Sequence, residues 1–212
     1  MQSVAVFNQN YRDYDQWFDH NPDILKAEVR ALRSLLRNTG SWLEVGAGTG
    51  RFTSQLKIPY AVEPSFNMAG LARSRGIHLC QAFGESLPFP TGIFDYIVLV
   101  TVLCFVEKPR LVLDECRRVL RDRGCLLIGM IDPNSQLGAE YEARKNEDVF
   151  YRVASFLTLD QIHSILRETR FEVLECVQTL LDIPYQTIGW EGLKNGSGDG
   201  AFVGLLARNL RA

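Results

Sequence analysis

The residues with the most chemical content lie early in the chain, in Glu44-Val-Gly-Ala-Gly-Thr-Gly50 and at Glu63. Glycines at 46, 48 and 50 let a backbone turn sharply and approach a ligand closely. A dinucleotide fingerprint needs GxGxxG, whose third glycine would fall at position 51, and that residue is Arg51. No GxxxxGK[ST] run occurs, so a phosphate-cradling P-loop is excluded. What stands is GxGxG with one acid before it and another beyond it. Glu63 closes a short apolar segment, where a carboxylate can accept both hydroxyls of a ribose. Glu44, at the loop itself, repels a pyrophosphate and suits a cation. Acid, GxGxG and acid together ask for a positively charged nucleoside.

Such a loop belongs at the carboxyl ends of the strands of an open α/β sheet, and the chain alternates to match. Ser41–Gly46 reads as a strand, Gly50–Leu56 as a helix and Tyr60–Glu63 as a second strand. Pro64-Ser65 caps a helix carrying Met68, Leu71 and Ala72, and Gly76 stops it. Ile77–Ala82 is a third strand. Phe94–Val100 is a fourth, apolar on both faces as a central parallel strand should be. A helix starts at Pro109; Arg121–Gly124 is a turn, and Cys125–Ile131 a fifth strand.

The flanks differ. Residues 1–20 concentrate Phe7, Tyr11, Tyr14, Trp17 and Phe18, and Asn21-Pro22 opens a helix with Asn as N-cap. Leu25, Val29, Leu32 and Leu36 form its apolar stripe. Downstream, Leu137–Val149 is helix-permissive, and Thr158-Leu-Asp-Gln161 is a capping box. Phe171–Leu180 and Phe202–Arg208 are strands joined by a loop rich in glycine and aromatics, Tyr185 and Trp190 among them. A long connection of that kind suits a closing hairpin.

Composition narrows the class. The 212 residues are 46% hydrophobic and 23% charged, the balance of a globular chain that buries roughly 70% of its unfolded surface. Lys and Arg number 23 against 25 Asp and Glu, a net charge of −2, so no nucleic-acid partner is expected. No uncharged run is longer than Tyr96–Val106, which is far short of the ~20 residues of a spanning helix. The N-terminus has no basic signal region. Five cysteines without a CxxC support neither zinc nor disulfides; buried free thiols in a reducing cytoplasm are expected.

A cationic nucleoside with these features is S-adenosylmethionine (SAM). Glu44–Gly50, Ala61-Val-Glu-Pro-Ser65, Gly84-Glu-Ser-Leu-Pro-Phe-Pro90, Phe94–Val98 and Gly124–Gly129 occur in the order and spacing of a known family. Together they resemble the class I SAM-dependent methyltransferases of type 11, the ubiquinone/menaquinone-methyltransferase-like kind. The resemblance implies a Rossmann-like doubly wound α/β sheet of seven strands in the order 3-2-1-4-5-7-6, strand 7 antiparallel, under an N-terminal helical cap. One domain over 1–212 is expected: a cap at 1–40, a cofactor core at 41–131, and C-terminal helices with the closing hairpin at 132–212. It also implies site roles. Gly46, Ala47 and Gly48 would lie under the methionine part of SAM, beside Glu44. Glu63 would take the ribose hydroxyls, and Pro64 and Met68 would pack on adenine. Gly84, Glu85 and Ser86 would border the adenine edge, with Thr101 and Tyr14 at the methionine end. Many relatives carry an acid where this chain has Phe83, so adenine recognition by stacking and main-chain contacts is expected.

The expected activity is transfer of the SAM methyl group to a small-molecule acceptor, releasing S-adenosylhomocysteine (SAH), by a monomer or homodimer. No metal is implied. Proximity and orientation alone can supply about 7–11 kcal/mol to an in-line displacement, so no catalytic residue is required. His20 reads either as a base near the cofactor or as a surface residue before the N-cap. No Asn-Pro-Pro-Tyr segment follows the fourth strand and no Pro-Cys pair occurs, which speaks against DNA-base acceptors. Two rivals remain: a SAM- or SAH-binding protein without transferase activity, and an NAD-dependent oxidoreductase, which Arg51 disfavours.

Overall fold

The computed structural model describes residues 2–36, 40–181 and 192–210; Tyr185 and Trp190 lie outside them. Five strands pair in parallel: β1 (Trp42–Val45), β2 (Tyr60–Val62), β3 (His78–Cys80), β4 (Phe94–Val100) and β5 (Leu120–Ile131). β6 (Phe171–Leu181), β7 (Lys194–Asn195) and β8 (Gly200–Asn209) complete one sheet in the order β3-β2-β1-β4-β5-β8-β6-β7. β8 runs antiparallel between β5 and β6, as the closing hairpin required. The described sheet has eight strands rather than seven. The extra one is two residues long and pairs with Val177 and Gln178, covering the edge of β6. A Lys-Asn-Gly stretch has no apolar alternation to announce it.

Two other expectations need correction. The turn at 121–124 is part of β5, which starts at Leu120 and shifts register between Phe94 and Tyr96, with Arg123 at φ +57°. Asn21 does not cap its helix; its amide donates back to the Trp17 carbonyl at 2.8 Å, while Pro22 does open α3 (Pro22–Leu35). The Thr158 capping box forms on α8 (Leu159–Glu168), and Ser65 caps α5 (Phe66–Ser74).

β4 is buried on both faces, so helices must cover both. Ile97 and Leu99 pack with Val112, Leu113 and Cys116 of α6 (Pro109–Val119) and with α8. Val98 and Val100 pack with α3 and with Phe52 of α4 (Arg51–Leu56). Of the cysteines, only Cys116 is fully buried; Cys80 is exposed, and none is bonded to another.

Two short helices, α1 (Gln2–Gln9) and α2 (Tyr11–His20), lie over the carboxyl end of the sheet. Asn8 holds α1 to α5, its Oδ1 accepting from Asn67 N at 2.9 Å. α2 is held by charge. Asp15 accepts from Arg51 Nε and Nη2 at 2.8 and 2.7 Å, and from Arg75 Nη2 at 2.7 Å. Burial pushes the Asp15 carboxyl up, but the two guanidiniums outweigh it and hold it at about 2. Phe7 stacks on Phe150 with centroids 5.2 Å apart, joining this cap to the segment after α7 (Gln136–Ala143).

Asp15→Ala would leave Arg75 without a carboxylate partner beneath α2 and Arg51 with only the exposed Asp19. Breaking a fully buried pair costs about 3–5 kcal/mol, and the partial exposure of both arginines lowers the expected loss to about 2 kcal/mol. Hydrogen exchange should quicken selectively across residues 2–20 in the variant. Unchanged exchange there would contradict the anchoring role.

Candidate functional site

The loop after β1 is built by its backbone. Gly46 N and Ala47 N both donate to the Val62 carbonyl, at 2.8 and 3.0 Å, tying the turn to β2. Gly46 adopts φ +77°, and a Cβ there would overlap Val102. Gly48 adopts φ +56°, and a Cβ would lie 3.5 Å from the Tyr14 ring, narrowing the gap between loop and cap. That gap opens into a cavity of about 110 Å³.

Gly46, Gly48, Glu63, Pro64 and Met68 line this smaller cavity, as do Gly84, Glu85, Thr101 and Tyr14. Glu44, Ala47 and Ser86 do not. Ala47 serves through its backbone, and Ser86 N donates to the Phe83 carbonyl at 3.1 Å. The Glu44 carboxylate accepts from the Thr53 hydroxyl beneath the loop; burial pushes it up to about 8. Glu63 is held differently. Its Oε2 accepts from Gly48 N at 2.8 Å and its Oε1 from Ser65 N at 2.9 Å. Burial keeps Glu63 above the usual carboxylate range despite those donors. Phe83 lines the cavity and is 39% exposed.

A second cavity, of about 310 Å³, lies beside the first, and Phe7, Tyr14, Thr101, Val102 and Phe105 line both. Thr101 stands at this junction with φ +51°, a left-handed conformation that a β-branched residue rarely adopts. Its N–H donates to the Gly129 carbonyl at 2.8 Å, which pins the strained turn to β5. Cys104, also lining, has its thiol pushed up to about 12 by burial, so it is not a thiolate. Burial raises the Tyr14 phenol too, ahead of nearby carboxylates.

The sequence reading missed Glu28 of α3. It is 6% exposed, lines the larger cavity, and accepts no hydrogen bond among the described residues. Burial alone pushes it up to about 8. The signal was available: Leu25, Glu28, Leu32 and Leu35 recur at helical spacing, which sets a carboxylate on the apolar stripe. His20 is exposed and lines neither cavity, so its surface reading holds. No cluster able to hold a metal occurs among the described residues, and no described helix is long and apolar enough to cross a membrane.

A family described as "Methyltransferase domain" (Methyltransf_11) matches residues 43–128. An uncharacterized protein of Methanocaldococcus jannaschii is 38% identical over 98% of this chain and 100% of its own length. The malonyl-[acyl-carrier protein] O-methyltransferase of Legionella pneumophila is 26% identical over 86% of this chain and 68% of its own. The decisive likeness is to a solved Thermotoga maritima SAM-dependent methyltransferase, described as a possible histamine N-methyltransferase. It shares 36% identity over 99% of this chain and all of that one, with a TM-score of 0.92. The chain belongs to the class I SAM-dependent methyltransferases, type 11.

Members of this family take SAM as methyl donor and release SAH. The smaller cavity of this methyltransferase fits that group. Its floor at Gly46 and Gly48 is bare backbone, and its lining includes Glu63, Glu85 and Glu107 but no lysine, arginine or histidine. A cationic nucleoside meets complementary charge there.

The raised carboxyls give the methyltransferase a pH signature. Folded Glu28 holds its proton up to about 8, whereas the unfolded chain releases it near 4.5. The stability this proton confers is therefore complete below pH 4.5 and is lost as pH rises through about 8. Glu44 contributes with the same sign. Glu28→Gln should flatten the decline, on the order of 2 kcal/mol by pH 9. Chemical denaturation at both ends of that range reads it; equal declines in both proteins would contradict the burial of an unpaired carboxyl.

Proposed function

We propose that this methyltransferase carries the methyl group of SAM to a small-molecule acceptor, with SAM in the smaller cavity and the acceptor in the larger. The observation that carries this reading is the wall the two cavities share, in which Tyr14 and Thr101 belong to both. Bound SAM supplies an electrophilic methyl group on a sulfonium. The chain's part is to hold two reactants in line and exclude water, worth about 7–11 kcal/mol. With the Cys104 thiol and the Tyr14 phenol both kept protonated, positioning rather than a charged nucleophile is what the residues offer.

Residue roles follow the charge and shape of the lining. Glu63, fixed by two backbone donors, takes the ribose hydroxyls. Pro64 and Met68 pack on adenine, whose edge meets Gly84, Glu85 and the backbone around Ser86. Phe83 supplies an aromatic face where many relatives have an acid. Gly46, Ala47 and Gly48 form the bed of the methionine part, and Glu44 lies beneath it. The whole chain acts as one domain: the helices of 1–40 and the segment from 132 onward meet at the Phe7–Phe150 stack, roofing the core of 41–131. A lined interior cavity and a net charge of −2 favour a small acceptor over a nucleic acid. The Thermotoga maritima description points the same way, since histamine is a small molecule.

Hydrogen bonds to a charged group are worth about 1.5–3 kcal/mol, so Glu63→Ala should weaken SAH binding roughly 10- to 100-fold. Calorimetry with SAH measures it. A change below about threefold would overturn the ribose assignment.

A further inference from the structure

The larger cavity is unusual in its charge. Its lining includes Asp13, Glu28 and Asp148, and no lysine, arginine or histidine among the described residues. Two of these acids have ordinary explanations. Asp13 is exposed on α2, and Asp148 Oδ1 accepts from Phe150 N and Tyr151 N at 2.7 and 2.8 Å. Glu28 has none. It sits on the buried side of α3, without a cation or a donor among the described residues. A buried polar group left unpaired costs stability, and a charged one costs more. A carboxyl retained at such a cost, and opening into a cavity, is placed for a ligand that supplies the missing partner.

The walls define that partner further. Tyr14, Trp17, Phe18, Phe150 and Tyr151 line the same cavity as the acid. Tyr14 lies edge-on to Phe18 and Phe150, with centroids 5.3 and 5.6 Å apart. Aromatic faces attract organic cations and cover apolar bodies, but give a neutral polar head little. An anionic acceptor would meet only like charge here.

We infer that Glu28 is the acceptor-recognition group of this enzyme, and that the acceptor is a small organic amine, which takes the Glu28 proton to form an ammonium–carboxylate pair while its apolar body packs on the aromatic walls. This builds on the two-cavity reading above and adds the acceptor's chemical class and the residue that selects it. Glu28 lines only the larger cavity, so it acts on acceptor choice and not on the donor.

Calorimetry on the full chain, with and without saturating SAH, tests the inference with matched probes: phenethylamine and pentylamine against 2-phenylethanol and 1-pentanol. At least one amine should bind the wild type ten times or more tighter than its alcohol. Glu28→Gln should erase that preference while leaving SAH affinity within about twofold, which also certifies the fold. No amine binding tighter than its alcohol would overturn the inference, and that comparison needs no variant. A preference that survives intact in Glu28→Gln would overturn it as well. Failure of the wild type to bind SAH is a separate result, and would count against the methyl-transfer reading instead.

Discussion

One buried carboxylate joins the roof of this molecule to its floor. Asp15 on α2 is gripped by Arg51, the first residue of α4, and by Arg75, which follows α5. Those helices follow the two strands that carry the glycine loop and Glu63. The same cluster therefore sets the distance between Tyr14 above and Gly48 below, and with it the height of the smaller cavity. Arg51 occupies the position where a dinucleotide-binding loop would have its third glycine. Its guanidinium makes that difference structural as well as chemical: the loop that forgoes a pyrophosphate site gains an anchor for a cap.

Three buried glutamates show how environment divides one residue type into different tasks. Glu44 has a hydroxyl partner and stays beneath the loop. Glu63 has two backbone N–H donors that fix both its oxygens while the side chain still lines the smaller cavity. Glu28 has no partner among the described residues, and the space beside it is the larger cavity. Burial raises all three. Their hydrogen bonding separates them: one is satisfied beneath the loop, one is satisfied at a cavity wall, and one is unpaired at the wall of another among the described residues.

The sheet was readable because its signals are periodic or capped. β4 announces itself by apolar residues on both faces, α8 by Thr158 and Gln161, and the loop by glycines whose positive φ angles admit little else. Short elements escaped because nothing local marks them: β7 is two polar residues that exist only because β6 offers an edge. Nine of the residues that the family resemblance put at the donor side line one cavity, so that grouping was legible. The acceptor side was not, since its lining comes from α2, α3, β5 and residues 141–157, which no contiguous motif brings together. Glu28 lay in view on the apolar stripe of α3, yet one acid in a helix reads as solvated until the fold shows which way the stripe faces.

The claim on which the rest depends is that donor and acceptor occupy adjoining cavities that meet at Tyr14 and Thr101. A crystal structure of the full chain grown with SAH tests it most directly. The account predicts the ribose against Glu63, the amino-acid end over Gly46 and Gly48, and the sulfur at the Thr101 junction facing the larger cavity. SAH density in the larger cavity against Glu28, or a sulfur walled off from that cavity by the aromatic cluster, would contradict it.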